Sequence, residues 1–390
     1  MALILTVIFV ALIFEYINGF HDTANSIATV VSTKVLTPRQ AIMLAVGTNL
    51  LGAMYGTAVA NTIASGLLDT KVFQVSNMVI ICALLGAIIW NLVTWYVGLP
   101  SSSSHALIGG LCGAALAAAN NSWSVILWSQ PDPDHWYKSK GILWKVILPM
   151  VTSPIAGLIL GFCLMAILYI CLQNARPHSV NGLFKRLQVL SAGGMGFMHG
   201  SNDAQKTMGI ITLGLVAATK GGFFDAVPGW LSWLHTPEGT PGDYKTPIAW
   251  IVTHLPSWLQ FGYQPEVNDL KKQFIPMWVI VTCALTMAAG TAAGGWRIIR
   301  TLGHKMVKLH PINGFAAETS SAAVIFAATH FGIPVSTTHN ISASIMGVGA
   351  AKRFSAVKWS VVEKMVWAWI LTIPVSALLG YMLVRISQLF

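Results

Sequence analysis

The stretch Gly98-Leu99-Pro100-Ser101-Ser102-Ser103-Ser104-His105 has a second version, Gly332-Ile333-Pro334-Val335-Ser336-Thr337-Thr338-His339, 234 residues further on. Both read glycine, aliphatic, proline, a run with several hydroxyls, histidine. Each opens a short apolar segment, 105–119 and 339–351. Neither is long enough to cross comfortably a bilayer core of roughly 30 Å, at about 1.5 Å of helix per residue. Such segments are predicted to be the second arms of re-entrant hairpins. Irregular backbone at membrane depth is tolerated only where protein buries it or it lines a cavity. The two hairpin tips therefore mark a candidate site as well as a fold.

The doubling extends outward from these tips. Gly19-Phe20-His21-Asp22 resembles Gly200-Ser201-Asn202-Asp203 at an offset of 181. Gly56-Thr57-Ala58 matches Gly290-Thr291-Ala292 at 234, and Thr152-Ser153-Pro154 resembles Thr372-Ile373-Pro374 at 220. One triplet match means little, but four in the same order indicate an internal repeat. The apolar spans fall at 2–33, 41–67, 75–98, 105–119, 146–172, 188–217, 276–296, 314–333, 339–351 and 365–388. Polar clusters interrupt 2–33 and 188–217, which predicts broken helices there. The expected fold is an all-α polytopic membrane protein, an inverted-topology repeat with two broken helices and two re-entrant hairpins. Its parts are a first repeat at 1–172, a cytoplasmic connection at 173–187 and a second, inverted repeat at 188–390. The second repeat carries an extracytoplasmic insert at about 218–275, where Trp230, Trp233, Trp250 and Trp258 suit a membrane surface.

Composition agrees. Of 390 residues 55% are hydrophobic and 9% charged, against roughly 25% charged in soluble domains. Mean hydropathy is +0.66. These values exclude a soluble enzyme, a nucleic-acid binder and a disordered scaffold. The apolar N-terminus lacks a basic leader and a small-residue cleavage site, so it is expected to stay as the first helix. Cys82, Cys112, Cys163, Cys171 and Cys283 lie in apolar runs without metal or redox spacing and read as packing residues. Pro131-Asp132-Pro133-Asp134-His135 reads as a solvated turn. The net charge of +10 is unevenly spread. With the N-terminus outside, segments 34–40, 173–187, 297–311 and 352–364 hold thirteen basic residues and one acid, and the outer segments hold nine and eight. That bias places both termini extracytoplasmic.

Charges inside a membrane are functional candidates by default. Five fall in apolar spans: Glu15, Asp22, Asp203, Lys206 and Glu318. Asp22 and Asp203 occupy equivalent places in the repeats and can both cap a helix and bind a cation or proton. Thr23, Asn25 and Asn202 supply further oxygens beside them. Glu15 and Glu318 suit either an interhelical hydrogen bond or ion transfer. Lys206 stands where the first half has Asn25. Its ammonium can neutralise Asp203, contact an anion, or occupy a second cation's place. Ser102, Ser103, Ser104, Ser336, Thr337 and Thr338 lie at helix starts, where free N–H groups and a partial positive charge suit a small oxyanion. His21, His105, His199 and His339 lack zinc-ligand spacing and read as hydrogen-bonded structural histidines.

At these motifs the chain resembles the PiT family of inorganic phosphate transporters, bacterial low-affinity type. The residues concerned are Gly19-Phe20-His21-Asp22-Thr23-Ala24-Asn25-Ser26, His199-Gly200-Ser201-Asn202-Asp203-Ala204-Gln205-Lys206, Leu99 to His105 and Pro334 to His339. The resemblance implies cation-coupled phosphate uptake at a central site. It carries the phosphate- and ion-binding roles to Asp22, Asn25, Asn202, Asp203 and the hairpin hydroxyls. Many sodium-coupled members have Asn where this chain has Lys206. The Lys form is similar to members regarded as proton-coupled. The expectation is therefore a phosphate importer of a bacterial inner membrane, coupled to H+ or alternatively Na+, with Thr23 and Glu318 joining the aspartates as coupling-ion residues. A sulfate permease of the same fold is the other transporter reading. A channel or membrane enzyme is the rival class, and Ser103 with His105 makes a poor nucleophile and base. Expected partners are inorganic phosphate, alone or as a metal–phosphate complex, and membrane lipid, without nucleic acid. No protein-bound metal or cofactor is expected, and a homodimer is compatible with the pattern.

Overall fold

In the computed structural model the described residues are 2–69, 72–135, 139–222, 234, 236 and 275–389. They form helices α1 (Ala2–Ser32), α2 (Pro38–Ala53), α3 (Ala58–Ser65), α4 (Asn77–Val97), α5 (Ser103–Ala118) and α6 (Leu148–Leu172) in the first half. The second half holds α7 (Pro177–Lys220), α8 (Met277–Ala293), α9 (Trp296–Arg300), α10 (Pro311–His330), α11 (Thr337–Lys352) and α12 (Trp359–Ser387). Two isolated bridges, Leu68 with Ile126 and Gln130 with Lys140, are the only β pairings among the described residues. Most of the 218–275 connection, with its four tryptophans, lies outside them.

Local chemistry explains the helix ends. Thr37 and Gln40 form a capping box that brackets Pro38, whose missing N–H is harmless at the first helical position. Gly98 ends α4 at φ +75°, a left-handed conformation that a side chain would strain. Ser102 caps α5 and Ser336 caps α11, each hydroxyl accepting a backbone N–H, from His105 and His339, at 3.2 Å.

α1, α4, α6 with its preceding turn, and α12 are long and apolar enough to cross a membrane. Two bent pairs are long and apolar enough only when each is taken together, α2 with α3 at 67° and α8 with α9 and the turn that follows it, to Lys305, at 59°. These bends correct the expected broken helices. α1 and α7 run unbroken through both aspartate signatures. The polar side chains there find lateral partners on other helices, so the backbone need not open to satisfy them. The chain breaks instead at Gly56 and Gly294, whose φ values are +88° and +71°. The 173–187 connection is also mostly helix, because α7 starts at Pro177. At 44 residues α7 is about 66 Å long, well beyond a bilayer core of about 30 Å.

The helices pack in matched pairs across the halves: α1 on α8 and α2 on α7, α5 on α12 and α11 on α6. Small residues allow these approaches, as in other membrane bundles. A Cβ on Gly109 or Gly113 of α5 would strike the α12 carbonyls of Ile373 and Ala377. A Cβ on Gly157 or Gly161 of α6 would strike Asn340 and the Ser344 carbonyl on α11. The same contacts correct one repeat match. Gly290 lies against the Tyr16 carbonyl as Gly52 lies against that of Phe197. Since Tyr16 and Phe197 hold equivalent places before Gly19 and Gly200, Gly52, not Gly56, is the counterpart of Gly290.

The apolar interior forms two clusters. One joins the first half of α1 (Ile4 to Ile17) with α4, α5 and the second half of α7 (Ala204 to Ala218). The other joins the second half of α1 (Ala24 to Val30) with α10, α11 and the first half of α7. Between them, on both α1 and α7, lies the layer of signature residues. Outward faces of α6 and α12 carry exposed Ile155, Ile159, Ile170, Ile370, Leu378 and Ile386, suited to lipid.

Candidate functional site

The polar layer brings both signatures and both hairpin tips together. Asp22 Oδ2 accepts from Ser103 of α5 at 3.3 Å, and its Oδ1 accepts from Thr338 of α11 at 3.4 Å. His21 Nδ1 lies 2.6 Å from Asp22 Oδ1. Asn25 Nδ2 donates to Thr338 at 2.9 Å and Thr337 at 3.2 Å. The Thr337 hydroxyl in turn donates to Asp203 Oδ2 at 2.8 Å. Lys206 donates to Asp203 Oδ1, to Ser104 of α5 and, at 3.0 Å, to the Val335 carbonyl. All these side chains are buried.

The hydroxyl runs divide by role. Ser102 and Ser336 serve as helix caps, while Ser103, Ser104, Thr337 and Thr338 face the carboxylates and the ammonium. Asn202 belongs to the rim, donating to Thr329 at 2.8 Å and the Ile333 carbonyl at 3.4 Å. Thr23 turns away, its hydroxyl donating to the Gly19 carbonyl at 2.6 Å. Glu318 has its own partners, Thr29 at 2.5 Å, Gln188 at 3.2 Å and Ser191.

Several participants were not assigned site roles from sequence. His199 Nε2 lies 3.1 Å from Asp203 Oδ2, and Asp22, His199 and Asp203 present ligand atoms within 4.8 Å of one another. Its other ring nitrogen meets Asn49 at 3.0 Å. A histidine four residues before an aspartate on one helix face was the available signal. Gln205 caps α3 by accepting from the Val59 N–H at 2.8 Å. The Val335 carbonyl left no side-chain signal. His105 and His339 meet edge to face at 4.9 Å, and His339 stacks on Trp369 at 4.3 Å. These contacts give both histidines a packing role at the junction of the hairpin tips.

Two carboxylates and one ammonium leave a negative balance when the histidines are neutral. An anion entering this dry layer is repelled unless protons or metal cations come with it. The donors that would hold an anion now hold the carboxylates. Neutralising those carboxylates would release them.

A helical membrane bundle with paired carboxylates, hydroxyl-lined helix starts and a buried ammonium at its centre has the features of a membrane transporter. Residues 18–380 match the model of the phosphate transporter family. The chain belongs to that family: it is an integral membrane phosphate transporter of the PiT type and not an enzyme. It is 42% identical over 380 residues to a probable low-affinity inorganic phosphate transporter of Bacillus subtilis (strain 168), covering 97% of this chain and 96% of that one. It is 40% identical to another so described from Rhizobium meliloti (strain 1021), covering 97% and 94%. A solved structure titled the sodium-dependent phosphate transporter superposes with a TM-score of 0.74, covering all of both chains at 20% identity. That likeness supports the helical fold.

Proposed function

We propose that the protein imports inorganic phosphate across a bacterial inner membrane by proton symport. The observation that carries this reading is the convergence of Ser103, Ser104, Thr337 and Thr338 with Asp22, Asp203 and Lys206 in one buried cluster. Phosphate takes the hydroxyls, the helix starts and Lys206. Asn25 and Asn202 stand at its edge. Protons neutralise Asp22 and Asp203, which frees the donors they hold. The fixed charge of Lys206 beside Asp203 disfavours a sodium ion at that carboxylate. The crosswise packing of α5 on α12 and α11 on α6 supports two repeats, 1–172 and 188–390, that rock against each other. Both termini lie outside, following the basic residues of the inner segments.

The test is uptake of labelled phosphate into proteoliposomes under an imposed pH gradient, with and without sodium and excess sulfate. Uptake that follows the pH gradient, ignores sodium and resists sulfate supports the reading. Uptake that survives an uncoupler and collapses without sodium refutes it.

A sodium reading has its own support. Asn25 Oδ1 and Asn202 Oδ1 are buried acceptors without a hydrogen-bond partner among the described residues. Amide and carboxylate oxygens suit a hard cation, either as coupling ion or as part of a metal–phosphate complex. The Lys206→Asn variant discriminates: if Lys206 excludes sodium, the variant acquires sodium-dependent uptake.

A further inference from the structure

A buried polar stripe runs along α1 well beyond the central cluster. Glu15, Asn18, Asp22, Asn25, Ser26 and Thr29 recur at helical spacing, so they share one face, and all are buried. α7 returns a matching stripe in the opposite direction: Thr207, Asp203, His199, Ser191 and Gln188. The stripes meet outside the centre through Thr207 with Glu15 and through Thr29 and Ser191 with Glu318. On α1, Glu15 and Thr29 each stand seven residues from Asp22, about 10 Å of helix on either side.

The Glu318 end is a built site. Its carboxylate takes hydroxyls from α1 and α7 and the Gln188 amide at 3.2 Å. Gln188 Oε1 accepts from Thr33 at 2.9 Å. Gly314, one turn before Glu318, leaves the room that the Gln188 side chain fills. Among the described residues no basic side chain forms an ion pair with Glu318. Among the described residues its other neighbours are neutral: Thr29 from α1, Thr33 just beyond the end of α1, Ser191 and Gln188 from α7, and the α6 thioether of Met165 on nearby Asn313. An unpaired carboxylate in a dry interior needs a proton or a cation. Ser26, between Asp22 and Thr29 on the same face, has a buried hydroxyl with no hydrogen-bond partner among the described residues. The seam leaves the interior at Thr33 and Ser191, which are half-buried.

We propose that Glu318 is the cytoplasmic station of the transported proton, reached from Asp22 along the α1–α7 seam through Ser26 and Thr29. The O–H bond at the Asp22 carboxyl breaks. Each hydroxyl, with a bridging water where the gap requires it, accepts one proton and passes on another. An O–H bond then forms at the Glu318 carboxylate, which releases the proton to cytoplasmic water beside Ser191 and Thr33. This assignment rests on the proton-symport reading and on its inside orientation.

Glu318→Gln tests it in proteoliposomes with two readouts. Phosphate exchange at equal phosphate on both sides needs only movement of the loaded carrier. Concentrative uptake with an internal pH dye needs the proton to leave. The expected result is exchange within about twofold of the unmodified protein, with uptake and proton entry down at least about tenfold. Ser26→Ala breaks no protein hydrogen bond and should show the same split more weakly. Unchanged net uptake and proton entry in Glu318→Gln would overturn the proposal. So would loss of exchange together with net uptake, which would make Glu318 a structural residue. If the unmodified protein admits no protons with phosphate, the symport reading itself fails, and the wild-type trace shows this before any variant is compared.

Discussion

At the scale of the residue, the decisive unit is Asp203 with Lys206 and Thr337. Burying a carboxylate and an ammonium is tolerable only because each neutralises the other and both keep further hydrogen bonds. Removing one partner is far worse than removing both. Lys206→Met should therefore lower stability by about 3–5 kcal/mol, and Lys206→Met with Asp203→Asn should recover much of it. Melting curves in detergent give that comparison. For transport, Asp22→Asn and Asp203→Asn should each abolish phosphate uptake while the protein still inserts. Normal uptake by both, at matched membrane levels, would remove the aspartates from the site.

At the scale of the element, each hydroxyl run separates helix capping from contact with the charged cluster within three residues. Ser336 accepts from the His339 N–H and starts α11, while Thr337 and Thr338 reach the carboxylates. Ser336→Ala should cost about 1 kcal/mol, the usual value of a lost cap, and leave substantial uptake. Thr337→Ala should hold its melting temperature better than its transport. Comparing melting and uptake for the two variants decides the point. The helix contacts behind the tips depend on missing side chains. Gly113→Leu on α5 would drive a side chain into the Ala377 carbonyl of α12. Because α12 has backbone at that point, relief requires the helices to separate, and the variant should be poorly folded at normal expression.

At the scale of the whole molecule, the charge bias predicts a direction of insertion and packing gathers the polar residues at the centre. The segments proposed to face the cytoplasm hold thirteen basic residues against one acid. In a background without native cysteines, Lys185→Cys should react with an impermeant thiol reagent only from the cytoplasmic side. Ser122→Cys should react only from outside. The opposite pattern would invert the proposed orientation. The two apolar clusters meet α1 and α7 on opposite sides of the signature layer. The polar cluster is thereby held inside the bundle, away from both ends of these helices.

The chain's own order of residues determined that it is helical and membrane-embedded, that two proline-and-hydroxyl runs repeat ahead of short helices, and that Asp22, Asp203 and Lys206 are charges in apolar spans. Periodicity, length and the cost of burying charge are local or additive properties, so they can be read along the chain. Tertiary structure decided that Ser102 and Ser336 cap while their neighbours face the cluster, that Thr23 turns back to Gly19, and that His199 lies against Asp203 with Asp22 within 4.8 Å. It also decided that α1 and α7 stay intact at their polar signatures while the chain bends near Gly56 and Gly294. A polar side chain in a dry interior takes whichever partner another helix brings within about 3 Å. That partner can lie 134 residues away, as Asp203 does from Thr337, and no local pattern names it.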